Sequence, residues 1–396
     1  MRRIFLDQVS DGLLLGRTLY NERGDVLLRH GTTLTTRYRD LLREKGFISL
    51  YVCDGDDDLA PDDIVSEHVR SNATRGIHRF LETIENAARD PSSRSKRPAA
   101  LVESTDLRRA LGGSLEKIHA VIETIIDEVI QASALTGLTA LKTHDNYTFC
   151  HSIDVTISAI MIGKRMHFDR AALRDLALGC ILHDTGKIFV SKAILTKPDR
   201  LTPEEFAAVK QHPGLGYKLL HRLQREEYFA NHVAYQHHER QDGAGYPRGL
   251  RGSNRVARDA VRGTGYMLLI AEIAAVADVY DALSSDRPYR PGMAPDQVVQ
   301  TIRSMAGPHL NREIVASFLS VVPSYPLGIS VRFTAGPFIG CLGTVLKLNR
   351  AIDRPLVRVT RDRHGHQIAA REIDLSVEPA HAIASVLHQE DMRRAS

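Results

Sequence analysis

Cysteine is scarce in this sequence, and its spacing excludes a common structural use of the residue. The chain of 396 residues has four cysteines, Cys53, Cys150, Cys180 and Cys341, and no two of them form a CxxC pair. Scattered thiols of this kind indicate reduced, mostly buried side chains rather than a disulfide framework. We therefore expect a cytoplasmic location.

Long apolar runs are also missing. The first residues, MRRIFLDQVSDG, are basic but contain no apolar core of a signal peptide. The most apolar later run, MLLIAEIAAVADVY, is interrupted by Glu272 and Asp278 and is too short to cross a bilayer. The sequence therefore predicts no membrane insertion.

A large excess of one charge is the third absence. The chain has 52 Lys and Arg against 48 Asp and Glu, which gives a formal net charge of +4. This small value gives no reason to expect nucleic acid as a partner. The hydrophobic fraction of 43% and the charged fraction of 25% are ordinary, so we expect folded domains with a sizeable core.

The patterning predicts a mainly α protein with four regions. Apolar residues at helical spacing dominate the middle of the chain, where Ser114 is predicted as an N-cap. Strand patterns separated by glycines dominate the end. Near the start, Arg-Gly-Asp at 23–25 suggests a hairpin, and Gly46 ends a short helix. The regions are 1–58, a small N-terminal α+β module; 59–113, a helix at about 64–90 and a flexible linker; 114–322, a helical catalytic domain; and 323–396, a small β-rich C-terminal extension.

Histidine and aspartate, by contrast, recur on apolar helical segments. The seven residues are His151, His183, Asp184, His212, His237, His238 and Asp278. Each one alone would be explained as a satisfied core histidine or a capping aspartate. Together they would each need a separate buried partner, whereas a metal centre satisfies them all. Seven ligands exceed one tetrahedral site and favour two metals, and nitrogen and oxygen donors suit iron, manganese, zinc or nickel.

Several motifs in this region resemble the HD-GYP family, bacterial phosphodiesterases of the HD superfamily that hydrolyse cyclic di-GMP. The similarity covers roughly residues 120–320, and the paired HD and GYP signatures are specific when they occur together. The resemblance implies an HD-superfamily helical bundle, and the two terminal regions also resemble modules that flank HD-GYP domains. The motifs are HS at 151–152, LHDTGKI at 182–188, KQHPGLGYKLL at 210–220, HHERQDGAGYPRGL at 237–250 and ADVYDALSSDRPYR at 277–290.

The resemblance also implies roles for individual residues. The seven histidines and aspartates would bind two divalent metal ions, first of all iron or manganese, with zinc or nickel as alternatives. Asp184 would bridge the metals, and Lys187 would assist the attack of a metal-bridging hydroxide on a phosphodiester. The product would be pGpG, or GMP after a second cut. The residues expected to contact the cyclic dinucleotide substrate are Lys187, Tyr246, Asp281, Arg287 and Arg290.

Two departures from the family pattern change these expectations. Tyr147 stands where some members have a glutamate that supports a third metal, so we predict two metals and pGpG as the main product, with GMP slow or absent. The segment 250–266 is longer than usual and contains Arg251, Arg255, Arg258 and Arg262. It is either a basic flap over an anionic substrate or a solvated surface loop.

Two other functions are compatible with the sequence. One is hydrolysis of another phosphorylated nucleotide, such as cyclic GMP-AMP or a guanosine alarmone. The other is a non-catalytic sensor that binds cyclic di-GMP and relays it to a partner. By family analogy, a GGDEF-type signalling protein is a candidate partner, and a homodimer is a candidate assembly.

Overall fold

In the computed structural model of the chain, two β-containing units flank the helical middle along the sequence. The predicted mainly α fold with an N-terminal α+β module and a C-terminal β-rich extension is confirmed. The structure describes residues 2–21, 24–53, 63–89, 105–132, 134, 147–197, 199–224, 226–256, 266–285 and 292–386.

The N-terminal unit is a small sheet packed on one helix. Strands β1 and β2 both pair antiparallel with β5, and β3 pairs with β4 in the predicted hairpin. Gly46 has a φ of +80° directly after the helix, a conformation that glycine adopts readily. The elements are β1 (Arg2–Phe5), β2 (Leu14–Leu15), β3 (Leu19–Tyr20), β4 (Val26–Leu28), α1 (Thr36–Glu44) and β5 (Ser49–Cys53).

The middle of the chain is a helical unit with one continuous apolar core. Ile153, Leu176 and Ile273, on three different helices, are completely buried in it. A short 3-10 turn, Thr185–Phe189, follows the second central helix. The helices are α2 (Glu67–Arg89), α3 (Thr105–Gln131), α4 (Tyr147–Arg165), α5 (Arg170–Leu182), α6 (Lys192–Leu195), α7 (Pro203–Val209), α8 (His212–Leu223), α9 (Tyr228–Gln236), α10 (Leu269–Ser284), α11 (Pro295–Met305) and α12 (Arg312–Leu319).

Three local details differ from the sequence-based expectation. Ser114 lies inside α3, where its hydroxyl donates to the Ala110 carbonyl, so it caps no helix. Helix α2 buries Ile77 and Phe80 in the same core as the later helices, so it belongs to the helical unit. The pattern over 204–220 predicts a single helix, but the segment is interrupted between α7 and α8, because Pro213 has no N–H and disfavours a continuous helix.

Helix α10 connects the core to the loop after α9. The buried Glu272 carboxylate accepts hydrogen bonds from Gln241 at 2.8 Å and from Asn311 at 3.1 Å. These bonds fix the loop against α10 and α12. Although α10 is strongly apolar, no helix in the described ranges has the length and apolar character to cross a membrane.

The C-terminal unit is an antiparallel sheet in the order β10-β6-β7-β8-β9. Alternate residues point to its own apolar core, for example Val331 and Phe333 on one strand and Val357 and Val359 on another. This confirms the β-rich extension. The strands are β6 (Ser330–Ala335), β7 (Leu342–Lys347), β8 (Leu356–Arg361), β9 (Gln367–Asp374) and β10 (Ala382–Ser385).

Candidate metal centre

All seven side chains expected to bind metal converge at one place in the helical unit. They form three overlapping groups, and within each group the potential ligand atoms lie within 4.8 Å of one another. Among the residues that the structure describes, the groups contain imidazoles and carboxylates but no thiolate. The groups are His151, His183 and Asp278; His183, Asp184 and His237; and His212, His237 and His238.

Asp184 lies between two sets of imidazoles and faces each set with one oxygen. Its Oδ2 atom is 3.3 Å from Nε2 of His183 and 3.6 Å from Nε2 of His151. Its Oδ1 atom is 3.4 Å from Nε2 of His212 and 3.8 Å from Nε2 of His237. One carboxylate is therefore positioned to serve two adjacent ligand sets.

Asp278 lies across the site from Asp184. Its Oδ1 atom is 3.2 Å from Nε2 of His151, and its Oδ2 atom is 4.0 Å from Nδ1 of His238. Asp278 therefore adds a second carboxylate that also reaches both sets.

Three of the imidazoles have their tautomer fixed by backbone carbonyls. A carbonyl only accepts hydrogen bonds, so the ring nitrogen facing it carries the proton. In a neutral ring the other nitrogen, Nε2, then has its lone pair directed into the site. The contacts are His183 Nδ1 to the Cys180 oxygen at 2.6 Å, His212 Nδ1 to the Val209 oxygen at 2.7 Å, and His237 Nδ1 to the Val233 and Ala234 oxygens at 3.1 Å each.

This donor arrangement fits bound cations. The Nε2 atoms of His151 and His183 are 3.3 Å apart, and so are those of His212 and His237. Lone pairs at this distance repel each other unless a positive charge lies between them. Within the described part of the chain, the buried Asp184 Oδ1 also has no hydrogen-bond partner. Burial lowers the pKa of His238 to about 3, so that ring does not supply the positive charge itself.

The tautomer of His151 is fixed by Asp281 instead of a carbonyl. The Asp281 Oδ2 atom is 2.6 Å from His151 Nδ1, and Asp281 Oδ1 accepts from the Ser285 hydroxyl at 3.2 Å. Asp281 was expected to contact the substrate, but only 2% of its surface is exposed. Its buried position favours a role in orienting His151. Asp278 and Asp281 share a helix face, and the sequence alone did not show that Asp281 would contact His151.

Lys187 lies at the edge of the centre. It follows Asp184 on the 3-10 turn, and its Nζ atom is 2.5 Å from Asp184 Oδ2. Burial alone would raise the pKa of Asp184, but the neighbouring His183 and Lys187 hold it well below its usual value. Asp184 is therefore ionised, and the half-buried Lys187 places a positive charge beside it.

Gly186 permits the close packing of this turn against α8. The sequence predicts only that Gly186 ends a helix, whereas α5 ends earlier, at Leu182. A Cβ atom at position 186 would lie 1.9 Å from the His212 oxygen and 2.6 Å from the Gly216 nitrogen. Only glycine therefore allows Asp184 and His212 to come together.

Tyr246 lies beside the centre, on the loop after α9. Its ring is 4.7 Å from the His238 ring, and its backbone N–H donates to the His238 carbonyl at 3.1 Å. The Glu239 carboxylate accepts from the backbone N–H groups of Arg248 and Leu250 at 2.7 Å each. These bonds hold the loop so that Tyr246 forms part of the wall of the site.

Some residues of interest lie outside the described residues. They include Arg287 and Arg290, together with Arg258 and Arg262 of the basic segment. The side chain of Tyr147 is likewise outside. The other two arginines of the segment, Arg251 and Arg255, are exposed.

Comparison with known proteins agrees with the motifs. The HD domain family matches residues 129–314. A cyclic di-GMP phosphodiesterase of Pseudomonas aeruginosa is 32% identical over 282 residues, which are 70% of this chain and 64% of that protein. A cyclic di-GMP phosphodiesterase of Thermotoga maritima is 34% identical over 161 residues, 40% of each chain. A 3′3′-cGAMP-specific phosphodiesterase of Vibrio cholerae is 35% identical over 153 residues, 39% of this chain and 30% of that protein.

Among solved structures, an HDG"Y"P protein from Bdellovibrio bacteriovorus matches with a TM-score of 0.43 and 16% identity, covering 80% of this chain and 97% of that one. The chain spans 64%, 40% and 30% of the three curated relatives, so the similarity concerns a part of each. The helical unit contains an HD domain. The HD-domain match and the named relatives support the HD-GYP resemblance that the motifs indicate.

Proposed function

We propose that this protein is a metal-dependent phosphodiesterase that hydrolyses cyclic di-GMP to pGpG. The observation that carries the proposal is the set of buried imidazole nitrogens, which lie 3.3 Å apart within each of two pairs and 3.3 to 3.8 Å from the oxygens of Asp184. The P. aeruginosa and T. maritima relatives, both named as cyclic di-GMP phosphodiesterases, support the choice of substrate.

Two divalent cations fit the donor set, with iron or manganese as first candidates and zinc or nickel as alternatives. Asp184 would serve both cations. When bound, such cations supply Lewis acidity to a phosphodiester and lower the pKa of water. One set of donors would be His151, His183 and Asp278, and the other would be His212, His237 and His238.

Lys187 has the position and charge to act on the substrate. Its ammonium is beside Asp184 Oδ2, and its side chain is 27% exposed, so it lies between the centre and the solvent. There it would donate to a non-bridging oxygen of the scissile phosphate. Because negative charge grows on those oxygens during attack on phosphorus, the contact would be strongest in the transition state.

The proposed product follows from the residue at position 147. A tyrosine hydroxyl is protonated at neutral pH and is a poor metal ligand compared with a carboxylate. The chain would therefore hold two metals, make pGpG as its main product and form GMP slowly or not at all. Three tightly bound metals per chain would contradict this proposal.

The proposal is tested by measuring metals and products on the same anaerobically purified protein. We expect about two equivalents of transition metal and release of pGpG from cyclic di-GMP, measured by elemental analysis and chromatography. The His183→Ala and Asp184→Ala variants should lose both metal and turnover. His364→Ala is a matched control, because His364 is exposed in the C-terminal unit. Absence of bound metal and of turnover in the wild-type chain would refute the proposal.

Cyclic GMP-AMP is the second candidate substrate. The V. cholerae relative named as 3′3′-cGAMP-specific is as similar, at 35% identity, as the T. maritima protein named for cyclic di-GMP, at 34%. Parallel assays with cyclic di-GMP, 3′3′-cyclic GMP-AMP and pppGpp would identify the preferred substrate. Tight binding of cyclic di-GMP without hydrolysis by the metal-loaded chain would instead favour a sensor. A GGDEF-type partner and a homodimer stay predictions.

A further inference from the structure

A row of three rings leads from the metal centre to the protein surface. His238 belongs to the centre, Tyr246 lies 4.7 Å from it, and Phe206 lies 6.3 Å from Tyr246 in an edge-to-face arrangement, measured between ring centroids. Phe206 is 44% exposed, although it is a large apolar side chain. The outer end of the row is therefore an aromatic surface open to solvent and two ring contacts away from a metal ligand.

A lysine accompanies the two outer rings. Lys210 Nζ is 4.6 Å from the centroid of Phe206 and 5.5 Å from that of Tyr246. Lys210 follows Phe206 by four residues, so both side chains lie on one face of α7. This segment also leads directly into His212. The aromatic surface thus carries a positive charge. Lys210 stands two positions before His212, which belongs to the metal centre.

Helix α7 is held rigidly although it is short. Thr202 and Glu205 form a reciprocal capping box, in which the Thr202 N–H donates to the Glu205 carboxylate at 2.7 Å and the Glu205 N–H donates to the Thr202 hydroxyl at 3.3 Å. Lys197 adds an ion pair to Glu205 at 2.8 Å. These contacts position α7 without help from the Phe206 ring. The Phe206 ring takes no part in these cap contacts, and the residue is 44% exposed.

We propose that Phe206 and Lys210 form a purine-binding subsite that stacks one base of the substrate and favours guanine. The inference rests on the proposed function, since it places a base while the phosphodiester occupies the metal centre. Aromatic faces combined with cationic side chains are the usual means of binding unpaired bases. Stacking on Phe206 moves the Lys210 ammonium from the ring face to the edge of the base.

Lys210 gives this subsite its preference between purines. Guanine presents two adjacent acceptors, O6 and N7, whereas adenine presents N7 beside the N6 amino donor. An ammonium group only donates hydrogen bonds. It therefore pairs with both acceptors of guanine but faces a donor on adenine.

The first experiment separates binding of the base from the chemical step. In Phe206→Leu we expect the KM for cyclic di-GMP to rise about 10-fold, because base stacking on an aromatic side chain contributes about 1–3 kcal/mol. The kcat and the metal content should stay within about twofold of wild type. In Phe206→Trp, which keeps an aromatic ring, the KM should stay close to the wild-type value. Phe229→Leu is the matched control, because Phe229 is 53% exposed and lies on α9.

A second experiment measures stacking without turnover. A cyclic dinucleotide with 2-aminopurine in place of one guanine should lose fluorescence on binding to the wild-type chain and to Phe206→Trp, but much less on binding to Phe206→Leu. If the wild-type chain quenches the probe but hydrolyses no cyclic dinucleotide, the proposed function fails while the subsite stands. An unchanged KM and unchanged quenching in Phe206→Leu would refute the subsite.

The third experiment tests the guanine preference. In Lys210→Met we expect the ratio of kcat/KM for cyclic di-GMP to that for cyclic di-AMP to fall about 10-fold, mainly through KM. Lys218 is also exposed but lies on α8, so Lys218→Met should leave the ratio unchanged. A ratio that stays at the wild-type value in Lys210→Met would remove Lys210 from the proposal.

Discussion

The contact between Asp281 and His151 leads to a prediction about metal affinity. The 2.6 Å hydrogen bond fixes the proton on His151 Nδ1 and directs Nε2 into the centre. In Asp281→Asn the amide oxygen still accepts from Nδ1, but the negative charge is lost. In Asp281→Ala both the bond and the charge are lost, so the ring is free to rotate and to exchange its tautomer.

The expected magnitude follows from the nature of the bond. Removal of a carboxylate that orients a metal-binding histidine typically weakens metal binding by about 10- to 100-fold. We expect about 10-fold for Asp281→Asn and about 100-fold for Asp281→Ala. Asp281 bonds to His151, which belongs to one ligand set, whereas His212, His237 and His238 form the other. One of the two binding steps should therefore weaken while the other stays close to wild type.

A chelator competition titration resolves the two steps and measures each dissociation constant. Ser285→Ala is the control, because it removes the 3.2 Å bond to Asp281 but leaves the carboxylate in place. We expect that variant to bind both metals within about threefold of wild type. If Asp281→Ala, folded as judged by circular dichroism, binds both metals as tightly as wild type, our assignment of Asp281 as an orienting residue is wrong.

Three other changes have distinct expected outcomes. Lys187→Met should keep both metals but lower kcat by about 100-fold, because one charge-assisted donor to the transition state is lost; metal loss by elemental analysis would contradict the role of Lys187. Gly186→Ala should reduce metal content and melting temperature together, because its Cβ would lie 1.9 Å from the His212 oxygen, and calorimetry that shows wild-type stability would contradict that steric argument. In the presence of a chelator, the free energy of unfolding should fall as the pH drops from 7 to 5. Burial lowers the pKa of His238 to about 3 in the folded chain, so only the unfolded chain binds that proton below about pH 6.5. A melting temperature that rises over the same pH range would show the opposite linkage.

The seven proposed metal ligands stand out in the sequence because they are polar residues on otherwise apolar helices. His151 and Asp278 lie on two such helices, α4 and α10, where each would need a partner of its own. The fold of the middle region followed from the same apolar periodicity. The local sequence pattern was therefore informative at positions where a polar residue lies within an apolar, buried segment.

The orientation of side chains within one helix face could not be predicted in the same way. Asp281 stands three positions after Asp278. Only the packing of α4 against α10 decides that the Asp281 carboxylate meets Nδ1 of His151. Phe206 posed a related difficulty, since one aromatic residue in a short helix is typical of a core position. Its exposure results from the tertiary placement of α7.

The carbonyls that fix the imidazole tautomers are also the last-turn carbonyls of their helices. The His183 ring donates to the Cys180 oxygen at the end of α5, and the His212 ring donates to the Val209 oxygen at the end of α7. The His237 ring donates to the Val233 oxygen at the end of α9. The Cys180 and Val233 carbonyls also accept the backbone N–H groups of His183 and His237, so each of these imidazoles adds a second bond at its helix end. Alanine in place of any of these ligands would thus fray a helix terminus as well as empty a coordination position. Asparagine, whose amide can still donate to a carbonyl, would be the better replacement when the aim is to remove a metal and leave the scaffold unchanged.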